Sequence, residues 1–200
     1  MEIADSPPVK KCLGCGNDEH AGRICAACRP DFSLDGAVHG ASYRAQWAKR
    51  GIHWLKFKGI RQVAPVLSRQ TLGQLLAIAP LEQLRKQAVL IPIPLHPSRL
   101  RHRGFNQCLD ITTAIAVDTA IPIADILIRR RATRPQTKLP HELRTENLAR
   151  AFTIAANTVP SPIAIIIDDV TTTGSTLNAA AQALKQHGFK QCWGLTIARG

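Results

Sequence analysis

The sequence predicts an α/β fold in which a mainly parallel sheet is flanked by helices. Two apolar runs, residues 163–167 (IAIII) and 88–95 (AVLIPIPL), lack the alternation of polar and apolar positions that a half-exposed strand shows. Strands buried on both faces of a parallel sheet have this composition. Apolar residues at helical spacing begin at Leu177, so a polar turn and a helix follow the first run.

The polar turn between that strand and that helix predicts a ribose 5-phosphate site. Asp168 and Asp169 follow the strand, and the turn then contains Thr171, Thr172, Thr173, Gly174, Ser175 and Thr176. Backbone N–H groups and the positive end of the helix dipole favour a phosphate there. The carboxylates repel phosphate, so their expected partners are sugar hydroxyls, a metal ion or a cation formed during reaction. The alternative is that the acids only end the strand and cap the helix.

The chain is strongly basic and long enough for one sizeable α/β domain with a small appendage. Its 26 Lys and Arg residues against 14 Asp and Glu give a formal net charge of +12. This charge predicts attraction to nucleotides, diphosphates or nucleic acid without choosing among them. Residues 1–11 (MEIADSPPVKK) do not resemble a signal peptide, and no stretch reaches membrane-spanning length. We therefore expect a cytoplasmic protein without membrane insertion.

Four cysteines near the N-terminus predict a structural zinc site. Cys12, Cys15, Cys25 and Cys28 form the pattern C-x2-C-x9-C-x2-C. Each C-x2-C pair is a tight knuckle that aims two thiolates at one point, and two knuckles complete a closed tetrahedral site. Two disulfides are the alternative, which a cytosolic setting disfavours. We place a zinc-ribbon segment at residues 1–36 and a second domain at residues 37–200. The remaining cysteines, Cys108 and Cys192, are expected to be buried and unreactive.

Two basic segments predict contacts with an anionic ligand. Residues 98–107 (SRLRHRGFNQ) follow the second apolar run, and arginine forks there are suited to diphosphate oxygens. A solvated basic turn has a similar composition. Residues 129–140 (RRRATRPQTKLP) are interpreted as a mobile loop that folds over an anionic ligand. The same loop is also compatible with a nucleic-acid-binding arm.

Residues 37–59 mix aromatic and basic side chains, the composition of surfaces that bind single-stranded nucleic acid. The pattern has no strict period, and we favour an amphipathic helix or hairpin whose aromatic residues pack inward.

The apolar strand, the two acids and the Thr/Gly/Ser turn resemble the phosphoribosyl diphosphate (PRPP) signature of type I phosphoribosyltransferases. The order of the other motifs is more specific. CLGCG, CAAC, LKFKG, IPIPLHPSRLRHRGFNQ, RRRATRPQTKLPHELRTENLARAF and IIIDDVTTTGSTL resemble, over nearly the whole chain, the ComF family of competence-associated, phosphoribosyltransferase-like proteins.

The resemblance implies a type I phosphoribosyltransferase fold with an N-terminal zinc ribbon and a hood within residues 37–85. Asp168 and Asp169 would meet the ribose hydroxyls, and the turn would enclose the 5-phosphate. Magnesium would bridge the diphosphate oxygens. Four residues would lie near the diphosphate: Leu95, His96, Arg99 and Arg103. A loop would close over the site and support the displacement of diphosphate through Arg130, Arg131, Gln136 and Arg144.

Three functions follow from these patterns, and no acceptor motif is evident. The first is phosphoribosyl transfer to an unknown acceptor, linked to DNA uptake. The second is non-catalytic binding of single-stranded DNA in DNA uptake. The third is regulation by PRPP sensing. The expected partners are PRPP or a related ribose phosphate, with single-stranded DNA and competence proteins as further candidates.

Overall fold

The structure is a computed structural model that describes residues 10–129 and 151–200. Its centre is a four-stranded sheet in the order β1-β6-β5-β2, in which every pair of neighbours is parallel. The bounds of these strands are β1 Gly36–Ser42, β2 Ala88–Pro92, β5 Ile163–Thr171 and β6 Gln191–Arg199. The predicted α/β fold with a mainly parallel sheet is confirmed.

Six α-helices lie within the described residues. They are α1 Gln46–Lys58, α2 Ala64–Leu75, α3 Leu81–Gln87, α4 Pro97–Arg103, α5 Gln107–Thr119 and α6 Ser175–Gln186. None of the helices in these described parts is long and apolar enough to cross a membrane.

The central strand β5 is buried on both faces, as its unbroken apolar run predicts. Ile165 and Ile167 belong to a core cluster with residues of α1, α2 and α5. Ala164 and Ile166 belong to a second cluster with residues of α6 and of the cysteine segment, residues 12–34. The strand is longer than we predicted, because its pairing with β6 continues past both aspartates to Thr171. The acids therefore belong to the strand and do not end it.

The two short strands before β5 form a separate ribbon. Strand β3 (Leu127–Arg129) pairs antiparallel with β4 (Phe152–Ile154). This pairing lies outside the main sheet.

The predicted hood segment, residues 37–85, begins inside the main sheet. Its first residues form the edge strand β1, which pairs with β6, and the rest is mainly helical. Only the part after β1 is available for a hood, and that role stays a prediction.

Candidate functional site

The acid pair, Asp168 and Asp169, lies where two strands run toward the same edge of the sheet. Strand β2 pairs in parallel with β5 from Ala88 opposite Ile163 to Pro92 opposite Ile167. The turn after β2 therefore emerges beside the acid pair. In parallel sheets this carboxyl-end edge is where ligands bind.

Asp169 is buried and held by two side chains from different helices. Its Oδ2 lies 2.7 Å from Lys56 Nζ of α1 and accepts a 2.8 Å hydrogen bond from Gln107 Nε2 of α5. Burial acts to lower the pKa of Lys56, but the Asp169 carboxylate outweighs it and raises this pKa. Lys56 of helix α1 therefore stays protonated and forms an ion pair with Asp169.

Asp168 is half-buried and less well compensated. Its Oδ1 accepts the backbone N–H of Asp169 at 2.8 Å and the Cys108 thiol at 3.4 Å. Burial first, and then the Asp169 charge, raise the pKa of Asp168 to about 7. Burial and the two acids also raise the pKa of Cys108, which therefore remains a thiol donor. The two carboxylates carry more negative charge than the single Lys56 ammonium balances. The side chains of Cys108, Asp168 and Asp169 are also close enough together to hold a metal ion.

The phosphate loop, residues 171–176, leads from β5 into α6. Gly174 occupies the N-cap position with φ +77°, and no side chain caps the helix. Within the loop, Thr173 Oγ1 and Ser175 Oγ lie 2.6 Å apart, and the side chains of Thr172 and Thr173 are exposed. The first N–H groups of a helix need an acceptor, and an anion beside these hydroxyls can supply it.

The basic turn, residues 95–103, follows β2 and is linked to the acid pair. His96 accepts the Ser98 N–H at 3.3 Å and caps α4, while the Arg99 side chain is exposed. Arg103 Nη1 donates to Gln107 Oε1, and Gln107 in turn donates to Asp169. Through this amide, the guanidinium of Arg103 is linked to the same Asp169 oxygen that Lys56 contacts.

Arg129, at the end of β3, is a further cation near this edge. Burial lowers its pKa, the Arg99 charge acts in the same direction, and Asp168 opposes both. Its guanidinium stacks over the Phe152 ring at 5.6 Å. The four residues assigned to the closing loop lie outside the described residues: Arg130, Arg131, Gln136 and Arg144.

The outer face of α1 forms an aromatic and basic groove beside the acid pair. A cavity of about 620 Å³ is lined by Tyr43, Gln46, Lys49, Arg50, Ile52, His53, Trp54, Lys56 and Phe57. The Arg50 guanidinium lies 5.7 Å from the Trp54 ring, and the Phe57 side chain is 67% exposed. The expectation that these aromatic residues pack inward is therefore wrong for Phe57, while Trp47 in the first turn of α1 is buried.

The four-cysteine cluster, Cys12, Cys15, Cys25 and Cys28, converges as the spacing predicts. Its Sγ atoms all lie within 4.8 Å of one another and could hold a metal ion such as zinc. All four are free thiols, which speaks against the two-disulfide alternative. Burial acts to raise the pKa of Cys12, but hydrogen bonds from backbone N–H groups outweigh it and lower this pKa to about 6. Hydrogen bonding with Cys25 raises the pKa of Cys28 to about 12. Four thiolates this close together repel one another, so the thiols lose their protons together only when a cation lies among them.

Sequence comparison identifies relatives with related names. No protein-family model matches the chain. Competence protein F of Haemophilus influenzae is 34% identical over 139 residues, which are 64% of this chain and 61% of that protein. DNA utilization protein YhgH of Escherichia coli K12 is 33% identical over 141 residues, 68% of this chain and 60% of that protein. Competence protein ComFC of Streptococcus pneumoniae is 30% identical over 123 residues, 59% of this chain and 52% of that protein.

The chain is similar to these competence and DNA utilization proteins. It spans between half and about three fifths of the length of these relatives. Among solved structures, orotate phosphoribosyltransferase from Aeropyrum pernix aligns with 72% of this chain and 62% of its own, with 15% identity and a TM-score of 0.39.

Three residues at the acid pair were not predicted: Lys56, Gln107 and Cys108. Lys56 and Gln107 lie in the motifs LKFKG and RGFNQ, but the sequence of neither motif indicates which acid its residue contacts. Cys108 is buried as expected, and its contact with Asp168 was missed. The other solitary cysteine, Cys192, is also buried.

Proposed function

We propose that this chain is a ComF-type protein that binds PRPP together with magnesium and transfers the phosphoribosyl group to an acceptor, in a role linked to DNA uptake. One observation carries the proposal: the acid pair, near the end of β5, and the uncapped N-terminus of α6 are joined by a single short turn. This arrangement offers acceptors for ribose hydroxyls and donors for a 5-phosphate close to each other.

The roles of the described residues follow from charge. The hydroxyls and N–H groups of residues 171–176 bind the 5-phosphate, and Asp168 and Asp169 accept the ribose hydroxyls. His96, Arg99 and Arg103 lie on the turn beside them, where a diphosphate extends from the anomeric carbon. Magnesium neutralises diphosphate charge when it is bound. Cys108 places a weak donor beside Asp168 and Asp169.

The reaction is a displacement at the anomeric carbon. The acceptor's nucleophilic atom forms a bond to this carbon as the bond to the diphosphate oxygen breaks, through an oxocarbenium-like state. Arg99 and Arg103 are placed to stabilise the leaving diphosphate, and Asp168 and Asp169 the positive charge on the ribose. The proposed closing loop, with Arg130, Arg131, Gln136 and Arg144, excludes water.

Calorimetric titration of PRPP into the purified protein tests the function directly. We expect binding in the presence of magnesium and much weaker binding without it. The reason is that the basic turn, residues 95–103, cannot neutralise the charge of a diphosphate alone. The affinity should change only modestly between two salt concentrations. Absence of PRPP binding at both salt concentrations with magnesium present would contradict the proposal.

A second candidate function, binding of single-stranded DNA, is supported by the groove on α1. Its exposed aromatic ring and its basic side chains suit base stacking and phosphate contacts. Under this function, an oligo-dT strand binds with an affinity that falls steeply as salt rises. Phe57→Ala should then weaken binding, while Leu76→Ala, which truncates an equally exposed apolar side chain on another helix end, should not. Equal affinities of the two variants for oligo-dT would argue against the groove.

We also propose that the four-cysteine cluster binds one structural zinc ion, since its four thiolates leave no ligand position for water or substrate.

A further inference from the structure

The phosphate loop is backed by a residue of the first cysteine knuckle. Leu13, between Cys12 and Cys15, is 3% exposed and packs against Gly174. A Cβ atom at position 174 would clash with Leu13 Cδ2. Position 174 therefore needs glycine for two reasons: its φ is positive, and Leu13 leaves no room for a Cβ atom. The loop cannot shift toward the knuckle while Leu13 is in place.

A second set of contacts ties the chain after the other knuckle to the start of α6. Asn178, in the first turn of this helix, accepts the backbone N–H of Ser33 at 2.7 Å and of Leu34 at 3.3 Å through Oδ1. Its Nδ2 donates to the Asp31 carbonyl at 3.2 Å. The helix whose N-terminus faces the proposed phosphate is thus anchored to the cysteine segment by one amide.

A third contact comes from the end of β6. Arg199, which pairs with Thr171 across the sheet, donates to the carbonyls of Lys11, Cys12 and Leu13 at 3.4 to 3.5 Å. The first knuckle therefore contacts the last residue of β6, which lies next to Thr171 at the start of the phosphate loop. Cys12 and Leu13 share their buried cluster with Leu177 of α6. The cysteine segment is consequently part of the wall of the site.

We propose that Leu13 is a positioning residue for the ribose 5-phosphate, and that metal binding at the four-cysteine cluster is thermodynamically coupled to ribose-phosphate binding. The inference rests on the proposed ribose-phosphate site. A bound metal ion fixes the backbone of the knuckle, and with it the side chain that supports Gly174. Without the metal, the ligand must order the knuckle as well as the loop, and this lowers its affinity.

The test compares Leu13→Ala with Leu84→Ala in the full chain, using ribose 5-phosphate as the calorimetric probe. Leu84 is fully buried in α3, which leads into the amino end of β2, at the sheet edge opposite the site. Both variants should lose thermal stability. We expect Leu13→Ala to weaken ribose 5-phosphate binding by about tenfold, within the usual range of coupling between sites, with its metal content unchanged. Leu84→Ala should retain the wild-type affinity, and Leu13→Met should largely restore it.

Reciprocity supplies an independent readout. If metal and ribose phosphate stabilise each other, saturating ribose 5-phosphate must tighten metal binding in a chelator competition by the same factor by which metal tightens the sugar. In Leu13→Ala, ribose 5-phosphate should no longer tighten metal binding. Wild-type protein that binds ribose 5-phosphate while Leu13→Ala binds it equally well would overturn the positioning role of Leu13. A wild-type metal affinity that saturating ribose 5-phosphate leaves unchanged would overturn the coupling. Wild-type protein that does not bind ribose 5-phosphate would overturn the proposed site, and the coupling with it.

Discussion

Magnesium-dependent PRPP binding is expected to weaken by about a hundredfold or more when both members of the acid pair are changed, Asp168→Asn with Asp169→Asn. Hydrogen bonds to charged groups contribute about 1.5 to 3 kcal/mol each, so two lost carboxylates amount to about 3 to 6 kcal/mol. Calorimetric titration measures the effect. The matched control is Asp110→Asn with Asp118→Asn, which makes the same charge change at two acids of α5 that pair with Arg61 and Arg69.

The single variant Asp168→Asn separates ligand binding from folding, because it leaves the ion pair between Lys56 and Asp169 intact. The folded-state pKa of Asp168, about 7, lies above its ordinary value of 3.8. The native state therefore holds a proton that the unfolded state releases, and stability falls as pH rises from about 4 to 7. Asp168→Asn should raise the melting temperature at pH 8, with a smaller gain at pH 5. A variant that is more stable at pH 8 yet binds PRPP as tightly as wild type would contradict the site assignment.

Loss of the metal from the four-cysteine cluster should have the largest effect on stability. Structural zinc contributes on the order of 10 kcal/mol to the folding of small zinc domains. Metal analysis of the purified protein should give one zinc ion per chain. Cys15→Ser with Cys25→Ser should abolish zinc binding and lower the melting temperature sharply. These two residues are suitable because their side chains are exposed or half-buried, so little core packing is lost with them.

Cys192→Ser is the control for this prediction. Its thiol is buried in β6, outside the four-cysteine cluster, so the variant should keep its zinc even where its stability falls. A wild-type protein without metal, or a double serine variant with wild-type zinc content, would refute the prediction.

The main elements of the fold could be predicted because their sequences are locally decisive. The apolar run of β5 needs two buried faces wherever it lies, and the helical spacing from Leu177 determines α6. The length of β5 was misjudged because two adjacent acids usually leave a sheet. Here Asp169 can stay in the strand because Lys56 and Gln107, from two distant helices, satisfy its carboxylate. Such partners are far apart in the sequence and give no local signal.

The chemical groups of the candidate site can be recognised from the amino-acid sequence, whereas the residues that support them follow from packing. The acid pair, the hydroxyl-rich turn and the cysteine spacing are each short segments, in which neighbouring residues act together through local backbone geometry. Packing alone placed Lys56 on Asp169 and Leu13 behind Gly174. These contacts join residues more than a hundred positions apart. They depend on which face of each strand and helix is buried once the parallel sheet has formed.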